Sequence, residues 1–170
     1  MGQETRKLDI RRTYTESSVW IILNLALLGE VRDHVLPLFY GSGANGKGVI
    51  LLVWQGLLGV VDTGGYAQSA PDGFLMTGRE SGHPTDIARL RGARLLVASE
   101  QTGGRRFDEA KVKRLTGGDM LTGRFMRGDF FDFRPSHLIV VATNHLPAAY
   151  LSMAIKLGGS HPVDRARHLF

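Results

Sequence analysis

A glycine-rich loop with one lysine is the feature of this sequence best suited to chemistry. It lies between an apolar stretch at 36–40 and a long apolar segment at 49–60. Glycines let successive backbone N–H groups converge on the oxygens of a di- or triphosphate, and the lysine ammonium can reach the terminal phosphates. The spacing matches the phosphate-loop pattern G-x-x-x-x-G-K-[ST] except at its last position. The predicted nucleotide-binding residues are Gly41, Ser42, Gly43, Ala44, Asn45, Gly46, Lys47 and Gly48. A tight strand-to-helix connection is the alternative.

Two other polar residues directly follow apolar stretches that suit buried strands. Glu100 comes after 94–98, and Asn144 comes after 137–143. In a parallel sheet the carboxyl ends of the strands share one crevice with the phosphate loop. A carboxylate there can bind Mg²⁺ through water and orient the attacking water, while an amide can hydrogen-bond the γ-phosphate. We therefore predict Lys47, Glu100 and Asn144 as catalytic residues, although a solvated acid and a turn-forming asparagine remain alternatives.

A third candidate region mixes basic and aromatic residues over 116–134. Arg127, Gly128 and Asp129 lie at its centre, which predicts a hairpin with this run at the tip. Such a tip could track a nucleic-acid backbone while aromatic rings pack beneath it or stack on bases. The alternative is a hairpin whose phenylalanines are core and whose arginines are solvated. The same two interpretations apply to the neighbouring Lys113.

These candidates require a scaffold of buried strands separated by helices. Continuous apolar strands of this kind favour an α/β fold with a parallel sheet flanked by helices and a β-hairpin insertion. The stretch between Asp62 and Pro84 is rich in Gly, Ser, Pro and Asp, which predicts loops with at most short structure near 74–76. The predicted helices are 15–28, 49–60, 86–91 and 108–115, and the predicted strands are 35–40, 94–98 and 137–143.

Composition narrows the class of protein further. The chain has 170 residues, 43% of them apolar, and a net charge of +5 that agrees in sign with nucleic-acid binding. It has no cysteine, which excludes disulfides and thiolate metal sites and fits a cytoplasmic protein. The apolar run 19–28 is shorter than the roughly 20 residues a membrane span needs, so we predict a core helix and no membrane partner. The six histidines show no spacing typical of a metal site.

The segment 32–147 resembles the superfamily III helicase domain at the C-terminal end of phage and plasmid primases. Four motifs follow one another in the family's order: a Walker A loop at 41–48, a Walker B strand at 94–100, a B-prime region at 108–119 and a motif C at 139–147. The resemblance implies an AAA+-like P-loop NTPase that binds ATP and Mg²⁺ and assembles as a homo-oligomer, usually a hexameric ring. It also implies a DNA-dependent ATPase that moves on single-stranded or forked DNA during phage or plasmid replication.

Residue roles follow from this resemblance position by position. Gly46 and Lys47 would bind phosphate, Glu100 would serve magnesium and water activation, and Asn144 would sense the γ-phosphate. The DNA-contacting region would contain Lys113, Arg124 and Arg127. The predicted domain organisation is an N-terminal helical segment at 1–30, the NTPase domain at 31–148 and an atypical tail at 149–170.

The sequence departs from the family's pattern at three places. Gly48 replaces the magnesium-binding hydroxyl, and no further acid follows Glu100 at 101–103. After motif C the family has a Trp-Arg-Arg segment that supplies an arginine finger, whereas Arg165 and Arg167 occur here in a different context. These departures favour, as an alternative, a truncated prophage remnant that binds nucleotide or DNA without turnover. A small-molecule kinase with a phosphate loop is a third possibility.

Overall fold

Helices and strands alternate along most of the chain. The computed structural model describes residues 16–31, 34–40, 46–78, 84–100 and 106–144. Its elements are α1 (Glu16–Leu28), β1 (Leu38–Tyr40), α2 (Lys47–Leu58), β2 (Ala67–Ser69), α3 (Pro84–Ala88), β3 (Leu95–Glu100), α4 (Glu109–Thr116), β4 (Leu121–Arg124), β5 (Phe130–Phe133) and β6 (Leu138–Thr143). A 3₁₀ turn, Val61–Thr63, lies between α2 and β2.

The central sheet has four parallel strands in the order β1-β6-β3-β2. Strand β6 thus lies between β1 and β3, although it comes last of the described elements in sequence. The strands β4 and β5 form a separate antiparallel hairpin inserted between α4 and β6. The predicted α/β class, the parallel sheet flanked by helices and the hairpin insertion are confirmed.

Apolar residues cover both faces of the sheet, as parallel strands require. Side chains alternate between the faces: Leu38 belongs to one buried cluster and Phe39 to the other, and both are fully buried. The Phe39 cluster includes residues of α1 and α2, such as Trp54, whose ring meets the Phe39 ring edge-on at 5.7 Å. The Leu38 cluster includes residues of α3, α4 and the hairpin. The sheet is therefore the middle of three layers.

The predicted core helix packs into this arrangement. In α1, Ile22, Leu23 and Ala26 are buried in the same cluster as α2 and the sheet. No helix within the described ranges combines the length and apolarity needed to cross a bilayer. The apolar run of α1 thus contributes to the interior of the fold.

Local sequence explains where α2 and α4 begin. The Asp108 carboxylate accepts a hydrogen bond from the Lys111 backbone N–H at 3.0 Å, which caps α4. Glycine precedes α2 instead: Gly46 has φ of 84°, a left-handed conformation that costs other residues energy. Helix α2 consequently starts at Lys47, two residues before the predicted start.

One strand was missed by the sequence analysis. The stretch after Asp62 was predicted to be loops, but Ala67–Ser69 forms β2 and pairs in parallel with Leu95–Val97. A strand of three residues has too little hydrophobic pattern to stand out in a glycine-rich context. Its hydrogen bonds with β3, about thirty positions away, supply the stabilisation that local sequence does not indicate.

Candidate nucleotide-binding site

Three strand ends lie level at one edge of the sheet. Thr143 of β6 pairs with Tyr40 of β1 on one side and with Glu100 of β3 on the other. Thr143 itself is buried. The carboxyl ends of β1, β6 and β3 therefore lie at one edge of the sheet, as expected for parallel strands.

Lys47 lies at this edge as the first residue of α2. Its side chain is only 7% exposed, which is unusual for a lysine. The helix has no acidic residue in its first turn and no side-chain cap at Gly46. The positive end of the helix and the lysine charge thus coincide, an arrangement that suits an anion.

Asn144 supplies an acceptor for the buried ammonium. Lys47 Nζ donates a hydrogen bond to Asn144 Oδ1 at 3.3 Å, across 97 positions of sequence. A buried charge requires such partners because it has lost its hydration. Two of the three predicted catalytic side chains are thereby in direct contact.

The structure describes the backbone of Glu100. Glu100 is the last residue of β3 and pairs with Thr143 of β6, which is the residue before Asn144. Its side chain lies outside the described part of the structure, as do residues 41–45 of the predicted loop. The roles of this carboxylate with Mg²⁺ and of the loop with phosphate remain predictions.

Gly48 is not demanded by packing. It is exposed, and a Cβ built at this position meets no atom within 4 Å. Its backbone is helical, with no positive φ. A serine or threonine would therefore fit, so the missing hydroxyl has no steric cause within the described structure.

The predicted DNA-contacting cations lie on helix α4 and on the β4–β5 hairpin. Lys113 is exposed in the last turn of α4, Arg124 ends β4, and Arg127 lies in the turn of the hairpin. Arg127 has φ of 62°, uncommon for a residue with a side chain, and Gly128 N–H closes the turn on the Phe125 carbonyl at 3.0 Å. The hairpin therefore holds its tip in a defined turn.

Aromatic rings occupy both sides of the hairpin. Phe133 is buried in the core, and the rings of Phe131 and Phe125 stack at 5.6 Å. On the outer side the Arg124 guanidinium lies 4.7 Å from the Phe130 ring centroid, and Phe130 is 60% exposed. Part of the aromatic set is thus core and part is exposed beside arginine, and the contact with nucleic acid stays a prediction.

The sequence analysis gave no role to His137, which lies just before β6 at the opposite edge. Its ring is 3% exposed, and neither nitrogen has a hydrogen-bond partner of normal geometry among the described residues. Burial lowers the pKa of His137 to about 4, and the nearby Leu115 backbone opposes this only in part. The ring borders a cavity of about 20 Å³, room for roughly one water, which Glu30 and His34 also line.

The comparisons with known proteins bear on the fold. No model of a protein family matches the sequence, and no curated protein matches it. Among solved structures, the apo A form of the NrS-1 C-terminal region superimposes with a TM-score of 0.57 at 13% identity, over 78% of this chain and 30% of that one. A second structure of that region gives a TM-score of 0.55 at 11% identity, over 76% and 28%. This chain therefore shares its fold with under a third of the length of those proteins.

Proposed function

We propose that this chain is a DNA-stimulated ATPase domain of the helicase type that acts in phage or plasmid DNA replication. The observation that carries the proposal is the contact between Lys47 and Asn144 at the end of β6, level with Glu100. The motif resemblance from sequence and the shared fold with the NrS-1 C-terminal region support it. The AAA+-like P-loop assignment is part of the proposal.

Each side chain at the sheet edge has a distinct task in this proposal. The backbone of 41–48 and the Lys47 ammonium bind the β- and γ-phosphates of ATP. Asn144, already hydrogen-bonded to Lys47, turns its amide toward the γ-phosphate or the attacking water. Glu100 holds that water in line with the phosphorus and accepts its proton. Glu100 would also hold Mg²⁺ through a water, and the bound ion would supply positive charge against the phosphates.

The hairpin provides the contact with DNA. Arg127 at the turn and Arg124 on the outer side present exposed positive charge, and Phe130 offers a ring face beside Arg124. These are the groups that bind single strands, by phosphate neutralisation and by base stacking. With Lys113 they form the proposed surface for single-stranded or forked DNA. We propose a ring of subunits, hexameric as in the resembling family, in which the hairpins couple hydrolysis to movement.

The test is ATP turnover by Lys47→Ala with and without single-stranded DNA. We expect a loss of at least about 100-fold, because the variant removes the only positive side chain predicted to reach the terminal phosphates. Phosphate release should be measured over a range of protein concentrations, since a site shared between subunits gives a steep dependence. Arg114→Ala is the matched control, because it removes an exposed charge at the far end of α4.

Equal turnover by wild type and Lys47→Ala would refute the ATPase proposal. Loss of turnover in both variants would show that the effect depends on overall charge rather than on the buried lysine. Turnover that single-stranded DNA fails to stimulate would favour a small-molecule kinase.

A second candidate function is binding without turnover. Gly48, which lacks the magnesium-binding hydroxyl, specifically favours it. ATP binding measured by calorimetry separates the two functions. Tight binding with no turnover at any protein concentration, with or without DNA, would identify a nucleotide-binding remnant.

A further inference from the structure

Helix α2 has two apolar sides, and the described residues of the chain cover only one of them. Its inner side packs on the sheet through Leu51, Trp54 and Leu58, all buried. Its outer side is a row of exposed residues at helical spacing. This outer row consists of Val49, Leu52, Val53, Gly56, Leu57 and, just past the helix end, Val60.

The exposure of the outer row is large. Leu52 and Leu57 are 69% and 70% exposed, and Val49 is 65% exposed. On the same face of the sheet, α1 also exposes Trp20 and Leu28. A helix that is apolar all round is normally buried on all sides. The described structure therefore leaves one side of α2 without the covering that its composition requires.

Gly56 points to close contact with another backbone. It lies within α2, where glycine weakens a helix relative to alanine. A Cβ built on Gly56 meets nothing within 4 Å, so packing among the residues that the structure describes gives no reason for glycine. A second helix crossing the outer row would give that reason, because a residue without a side chain lets two helices approach closely at the crossing point.

We infer that the outer row of α2 is a self-association surface on which a second copy of this chain packs its own α2. A two-fold axis near Gly56 would bring the two outer rows together, with Gly56 next to its counterpart and every contact away from the axis made twice. The outer row alone presents on the order of 500 Å² of apolar surface, the size of the largest patch on a typical monomer. With Trp20 and Leu28 of α1, which lie on the same face of the sheet, the total is on the order of the 800 Å² that each partner buries in a stable complex.

Charge favours a copy of the same chain over other partners. The chain carries a net charge of +5, so two copies repel each other least where they meet through a surface without charge. Helices α1 and α2 contain one charged residue each, Glu16 and Lys47, and Lys47 is buried. The outer row itself has no charge with which to select an acidic or basic protein. This dimer needs neither nucleotide nor DNA and is independent of the proposed ring.

The experiment is sedimentation equilibrium of the full chain without nucleotide, over protein concentrations from about 1 to 100 μM. We expect wild type to be a dimer in this range, and Leu57→Glu to be monomeric with a dissociation constant raised at least about 100-fold, since the two charges would face each other. Gly56→Leu should also yield monomer, because its bulk separates the helices. Met126→Glu, which adds the same charge at a residue 79% exposed on the hairpin, should leave the dimer intact.

Circular dichroism must show equal helix content in all variants. If Leu57→Glu fails to fold, Gly56→Leu still tests the surface, because it introduces no charge. A monomeric wild type at 100 μM would overturn the inference, as would Leu57→Glu and Gly56→Leu that both remain dimeric. Flotation with vesicles of phosphatidylcholine and phosphatidylserine tests the alternative occupant. A monomeric wild type that floats, with a Leu57→Glu variant that does not, would assign the outer row to lipid and overturn the dimer. A Lys47→Ala protein that is dimeric but inactive would separate this surface from the ATPase site.

Discussion

The two ends of β6 each border a buried basic nitrogen, and they treat it in opposite ways. At the carboxyl end, the Lys47 ammonium has the Asn144 amide oxygen at 3.3 Å. At the amino end, the His137 ring has no hydrogen-bond partner among the described residues and a pKa lowered to about 4. A buried nitrogen with an acceptor can keep its charge for binding an anion, whereas one without must stay neutral. One end of β6 thus has a charge suited to binding an anion, and the other end has a buried ring that destabilises the fold when it is protonated.

The largest effect that would sharpen this comparison is acid destabilisation through His137. The unfolded ring has its ordinary pKa of 6.5 and the folded ring about 4, so the unfolded state binds the proton first as pH falls. The protonation of His137 therefore leaves the free energy of unfolding unchanged above pH 6.5 and lowers it by about 3 kcal/mol as the pH falls from 6.5 to 4. Urea unfolding of wild type and His137→Leu at pH 7.5 and 4.5 measures the difference.

His34→Leu is the control for that measurement, because His34 is exposed and lines the same cavity. We expect His34→Leu to keep the acid sensitivity of wild type and His137→Leu to lose most of it. Equal acid sensitivity in all three proteins would show that His137 does not cause the loss of stability in acid, and the contrast between the two ends of β6 would be wrong.

At the carboxyl end, Asn144→Ala tests whether the amide contributes to ATP turnover in addition to its hydrogen bond with Lys47. We expect ATP turnover to fall about 30-fold, or about 2 kcal/mol, because the variant removes a hydrogen bond made to charged groups. Stability should change by less, since Asn144 is exposed. Turnover and urea unfolding on the same preparation separate the two roles, and a loss of stability with unchanged turnover would make Asn144 structural.

The smallest expected effect is a gain at Gly48. Replacing it with serine adds a hydroxyl where the structure has open space. We expect the apparent affinity for Mg²⁺ in ATP turnover to rise about fivefold, or about 1 kcal/mol, because the hydroxyl can replace one coordinating water. Gly48→Ala controls for the gain in helix propensity alone. Equal magnesium titrations for both variants would place the metal away from this residue.

Sequence analysis expected Lys47 and Asn144 at one edge of the sheet, where they are in contact, but it gave His137 at the other edge no role. The phosphate loop follows β1 and Asn144 follows β6, and parallel strands end at one edge. The catalytic roles of these residues stay predictions. The hairpin was recognisable from turn residues within one short segment. In both cases a local pattern combined with one rule of topology was sufficient.

What escaped prediction depended on contacts between distant residues. Strand β2 has three residues and is defined by pairing with β3. The burial of His137 depends on its surroundings, which include Leu25 of α1 and Thr116 of α4. The exposed outer row of α2 was equally hidden, since an apolar helix sequence does not say which side is covered. For Glu100, the structure describes the backbone at the predicted carboxyl edge of the sheet and not the side chain.

The position of β6 between β1 and β3 has a consequence for biosynthesis. In the described sheet, β1 hydrogen-bonds only to β6, while β2 pairs with β3. A nascent chain on the ribosome can therefore assemble the β2–β3 pair early but must leave β1 unpaired for about a hundred residues. Closure of the sheet waits for a strand made late, and such long-range pairing is slow and exposed to aggregation. A chaperone has its best opportunity to act in that interval.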